Sequence, residues 1–98
     1  MGGRSQVNAV RATVAWIPAS QGGRIAIPSG PTYSTVSRWP GFDDQSAWSV
    51  VLVLESGNPY SALVRFLVDA APWERLVPGA RFEIFEGSRK VADIRVDP

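Results

Sequence analysis

Residues 81–96 read RFEIFEGSRKVADIRV, and this stretch decides the fold. Phe82 and Ile84 alternate with Arg81 and Glu83, a period of two that puts the apolar pair on one face of a strand. After the break, Ala92, Ile94 and Val96 alternate with Asp93, Arg95 and Asp97 in the same way. Between the two runs sits Gly87-Ser88. Glycine at the first central position of a two-residue loop supplies the positive φ that a type II′ turn requires. The stretch therefore predicts a hairpin with one wet and one dry face. A lone hairpin is marginal in water, so the preceding chain must supply further strands.

Working back from the hairpin, the same alternation recurs. Val7–Ile17 reads as a strand with Val10, Ala12, Val14 and Trp16 on one face, ended by Pro18. Residues 19–31 form a loop punctuated by Gly22-Gly23 and Gly30-Pro31. Thr32–Arg38 is β-rich but polar, and a turn region from Trp39 to Asp44 follows. Ala47–Glu55 is the most apolar run, with Trp48, Val50, Leu52 and Leu54 facing one way and Val51 and Val53 the other, and a strand apolar on both faces is expected to be central or covered. Ser56 to Pro59 makes a turn, and Tyr60–Asp69 places Ala62, Val64, Phe66 and Val68 inward. Ala70–Gly79 is a connection with one helical turn starting near Pro72. Six short strands without helical periodicity predict an all-β chain, and closure into a six-stranded antiparallel β-barrel of Greek-key type removes the edges. The expected core includes Val14, Leu52, Val64, Phe66, Phe82 and Ile84. Residues 7–98 make one barrel domain, behind a flexible polar N-terminus at 1–6.

Composition narrows the chemistry. The 98 residues contain no His and no Cys, which removes disulfides, thiolate metal sites and the usual general base. The ordinary Ser, Cys and His triads cannot be assembled, so the chain is expected to be no enzyme and to need no cofactor or metal. Ten basic residues against nine acidic ones leave a net charge of +1, too little for a strong global field toward nucleic acid or anionic membrane. No apolar run approaches the ~20 residues of a membrane span. Met1–Gln6 lacks the apolar core of a signal peptide, so a cytoplasmic location without membrane contact is the expectation.

The closing segment also resembles a known family. Ala71-Pro72, and then Ala80 to Val91 reading ARFEIFEGSRKV, is similar nearly position by position to the last hairpin in the C-terminal barrel domain of bacterial elongation factor Tu. Gly22-Gly23-Arg24, with Ser29-Gly30 after it, looks like that family's first loop. The likeness covers residues 7–96 and implies a six-stranded barrel. In the family this barrel helps hold the aminoacyl-tRNA stem and packs against a GTPase domain. Here the family's Tyr-Arg-Pro after Ser-Gly is replaced by Pro31-Thr32-Tyr33, without the arginine.

Several residue groups are candidates for function. Gly22, Gly23 and Arg24 offer backbone N–H groups and a cation to an anion, or simply shape a loop. Asp43-Asp44 reads as a solvated turn or half of a metal site with no third ligand nearby. Trp39, Phe42 and Trp73 lie in connections, where large rings either anchor an interface or plug the ends of a small barrel. Arg24, Arg38 and Arg75 lie in or beside those connections. An arginine beside an exposed ring serves both protein hot spots and single-stranded nucleic acid. The leading expectation is a stand-alone, non-enzymatic binding module. It meets a protein partner, or a second copy of itself, through Trp39, Phe42, Trp73 and Arg75. The alternative is an RNA-binding, translation-related module using Gly22, Gly23, Arg24 and Arg38, and the least favoured reading is a small enzyme.

Overall fold

A computed structural model describes residues 9–23, 26, 28, 31–42 and 47–98. The strands are β1 (Val10–Trp16), β2 (Thr32–Arg38), β3 (Trp48–Glu55), β4 (Asn58–Phe66), β5 (Arg81–Glu86) and β6 (Arg89–Val96). They close into a barrel in the spatial order β1-β4-β3-β2-β5-β6, with every neighbouring pair antiparallel. β2, β3 and β4 follow one another as a meander, and β1 lies beside β4 after a long connection, which is a Greek key. Short 3₁₀ turns at Ala19–Gln21 and Trp73–Arg75 interrupt the two longest connections. No helix among the described residues is long and apolar enough to cross a membrane.

The alternation read from the sequence becomes the inner wall. Val14, Leu52, Val64, Phe66, Phe82 and Ile84 are all fully buried, joined by Val50, Val91 and Ile94. Gly87 has φ 62°, and no non-glycine residue among those described has positive φ, as a type II′ turn on Gly87-Ser88 requires.

Three local details depart from the sequence reading. First, β4 runs over Asn58–Phe66 instead of Tyr60–Asp69. Pro59 is accepted because it falls where the β3–β4 register shifts, between Glu55↔Asn58 and Leu54↔Ala62, so its missing N–H breaks no ladder bond. After Phe66, the Leu67 N–H donates to the Ser49 carbonyl and the strand pairing ends. Val68, expected inward, is consequently 44% exposed. Second, β3 is covered only in part on its outer side: Val51 is buried and Val53 is exposed. Third, the β5–β6 register shifts between Ile84↔Ala92 and Phe85↔Lys90, so Val91 is the extra residue of a bulge. Val91 and Ala92 are therefore both buried although they are consecutive.

Candidate functional site at the Trp39 end of the barrel

Along β2 the inward positions are Tyr33, Thr35 and Ser37, and Trp39 continues that series one step past the strand. The period of two thus carries the indole into the barrel end. Trp39 is 5% exposed. Its ring stacks on Phe82 with centroids 4.3 Å apart and 20° between planes, and lies tilted against Phe66 at 5.7 Å. Its indole N–H donates to the Ser37 hydroxyl at 2.9 Å, and that hydroxyl donates to the Trp48 carbonyl at 2.6 Å. Ser37 is the buried polar residue of the core. A buried hydroxyl is stable only when its hydrogen bonds are met, and here one oxygen serves both the Trp39 indole N–H and the Trp48 backbone carbonyl. Trp39 is therefore a plug held by ring stacking and one hydrogen bond, and the outward-facing role expected of it is not its geometry.

Trp73 closes the same end from the β4–β5 connection. Its ring meets Phe66 edge to face at 5.3 Å and 89°, and its N–H donates to the Asp69 carbonyl at 2.8 Å. Phe42 differs: it is 45% exposed, with its ring nearly perpendicular to that of Trp39 at 6.1 Å between centroids. The Arg75 guanidinium lies 3.9 Å from the Phe42 centroid and 6.0 Å from that of Trp39, a cation–π arrangement that orders both side chains. Of the four residues singled out in the sequence, Trp39, Phe42 and Arg75 are thus brought into contact, and Trp73 reaches the same end by packing on Phe66. Trp39 and Trp73 turn inward, Phe42 is exposed, and Arg75 is half-buried with its guanidinium over the Phe42 ring.

These two connections enclose an open groove of ≈ 610 Å³, whose walls include Trp39, Phe42, Glu74, Arg75, Val77 and Arg81. Val77 is also exposed. An apolar concavity with a few charged groups at its rim has the makeup of a binding site. Val77 and Arg81 carry no such signal in the sequence, because only the closure of β2 against β5 brings them to Trp39.

The other candidates lie elsewhere. Gly22 has φ 91°, and its N–H donates to the Ala19 carbonyl at 3.1 Å. The Gly23 N–H donates to the Pro18 carbonyl at 3.0 Å, and a Cβ there would sit 1.8 Å from the Ile17 carbonyl oxygen. Both amides that an anion cradle needs are thus engaged within the loop, and close backbone approach explains Gly23. Arg24 and Asp43-Asp44 lie outside the described residues. Arg38 is on the outer face with its guanidinium 5.5 Å from the Phe85 centroid, away from the groove walls. On the outer face of β5 and β6, Lys90 bridges Glu83 at 2.9 Å and Asp93 at 2.8 Å. Hydrogen bonds donated by the ammonium to Asp93 first, then to Glu83, hold the Lys90 pKa above the usual lysine value, against the opposing effect of burial. Among the described residues no group of three or more His, Cys, Asp or Glu is placed to hold a metal ion.

Fold and site together define a closed six-stranded antiparallel β-barrel with an aromatic-walled groove at one end. Compared with known proteins, the chain matches no family model and no curated protein.

Proposed function

We propose that this chain is a non-enzymatic binding module whose partner is a protein, seated in the groove beside Phe42 and Arg75. One observation carries the reading: an exposed phenyl ring, capped by a guanidinium at 3.9 Å, stands on the wall of an apolar groove. Aromatic and arginine side chains in such a setting dominate protein interfaces. The tryptophans beneath supply a rigid base, so little side-chain freedom remains to be lost on association. A second copy of this chain is one form the partner takes.

RNA is the rival reading, and the ring geometry disfavours it. Base stacking on a protein needs an open ring face. One face of Phe42 is covered by Arg75, and Trp39 is stacked on Phe82 and buried. The net charge of +1 also supplies few phosphate contacts. The test is to compare wild type with Phe42→Ala and Arg75→Ala in affinity capture and in sedimentation equilibrium. Capture or self-association lost in both variants, with folding intact, supports the site. Association unchanged in both overturns it.

A further inference from the structure

We infer that the groove takes an extended acidic segment of a partner protein, with an apolar side chain between Phe42 and Val77 and a neighbouring carboxylate on Arg81 and Arg95. This rests on the protein-binding reading above and names the chemistry of the partner.

Arg81 is the first residue of β5 and forms part of the groove wall. In the β5–β6 ladder it stands directly opposite Arg95, and both side chains are on the outer, exposed face. Like charges directly opposite on one sheet face repel, so a fold has no internal reason to pair them. The carboxylates beside them on β5 and β6 are engaged, and the Glu74 carboxylate lines the groove along with Arg75. Glu83 and Asp93, two residues along each strand on the same face, hold Lys90 at 2.9 and 2.8 Å. Asp97 accepts the hydroxyl of Thr13 at 2.9 Å, and Thr13 is itself the β1 residue opposite Arg95. Among the described residues neither arginine has an ion-pair partner. Two planar guanidinium forks side by side fit one carboxylate, which accepts two charge-assisted pairs of hydrogen bonds.

The groove and this arginine pair are continuous, since Arg81 belongs to both. Neighbouring strands are about 4.8 Å apart and an extended chain rises about 3.3 Å per residue. A carboxylate one or two positions from an apolar anchor therefore reaches the pair while the anchor fills the groove. Trp39 is buried and stacked on Phe82, and Arg75 covers one face of Phe42, which favours a peptide over a nucleic acid.

The test is display selection of random linear peptides against the folded chain, followed by fluorescence anisotropy on the strongest binder. The expected binders carry Asp or Glu one or two residues from an aromatic or aliphatic residue. The double variant Arg81→Gln/Arg95→Gln should bind roughly tenfold or more weakly, the scale of one lost charge-assisted hydrogen bond. Its thermal midpoint should be unchanged or raised, because a repulsion is removed. Arg65→Gln, on the outer face of β4, should bind as wild type. Peptides that lose binding in Phe42→Ala but ignore the double arginine variant overturn this inference and leave the protein-binding reading standing. Absence of any enriched peptide overturns the inference. Salt-sensitive binding of single-stranded oligouridine in that case overturns the protein reading as well.

Discussion

The Ser37 hydroxyl accepts the indole N–H of Trp39 at 2.9 Å while donating to the Trp48 carbonyl at 2.6 Å. This one oxygen ties the plug of the barrel to β3. Ser37→Ala leaves a buried indole donor unmet, and should cost about 1–3 kcal/mol in urea denaturation. The same change in a Trp39→Phe background should cost markedly less, since no donor remains to be orphaned. Equal losses in the two backgrounds would show that the hydrogen bond contributes nothing.

The rings at this end divide into plugs and surface. Trp39→Ala should cost about 3–5 kcal/mol, in line with truncation of a buried aromatic, and Phe66→Ala should match it. Phe42→Ala should cost under ~1 kcal/mol because the ring is half exposed. Chemical denaturation of the three variants checks the order. A Phe42→Ala loss as large as that of Trp39→Ala would mean that both rings are core.

Two glycines are required for different reasons. Gly87→Val puts a β-branched residue at φ 62°, and should cost about 1–2 kcal/mol or more, whereas Ser88→Ala should be near neutral. Gly23→Ala should destabilise through contact, because its Cβ would lie 1.8 Å from the Ile17 carbonyl oxygen. Thermal midpoints of the three variants test both statements.

The Lys90 cluster sets a pH dependence at the alkaline end. Its folded pKa is raised by Asp93 and Glu83. The stabilisation is therefore fully present below lysine's ordinary pKa of about 10.4 and is lost as pH rises through the higher folded value. The group is partly solvated, so the effect should stay under ~1 kcal/mol. The stability difference between wild type and Lys90→Met should be constant near neutrality and shrink above about pH 10.4. A difference that grows with pH would reverse the sign of the linkage.

Strand identity and core membership were legible because inward positions alternate strictly in β1, β3, β4 and β5. The positive φ at Gly87 was legible for the same local reason. Val68 was misplaced because the alternation continues past Phe66, while the end of pairing depends on Ser49 in another strand. Val91 was missed because a bulge inserts a residue without any mark in the pattern. The sequence leaves Trp39 as either an interface anchor or a plug because it lies just past β2 in a connection, whereas the structure shows it continuing the inward series of Tyr33, Thr35 and Ser37. The cation–π contact of Arg75 with Phe42 joins residues 33 positions apart and appears only after the barrel closes.

The most direct measurement of the central claim is amide chemical-shift mapping by NMR during titration with the peptide obtained by selection. The largest shifts are expected at residues 39–42 and 73–81, with Arg95 responding beside them. Shifts concentrated instead on the outer face of β3 and β4, around Val53 and Leu63, with the groove silent, would contradict it.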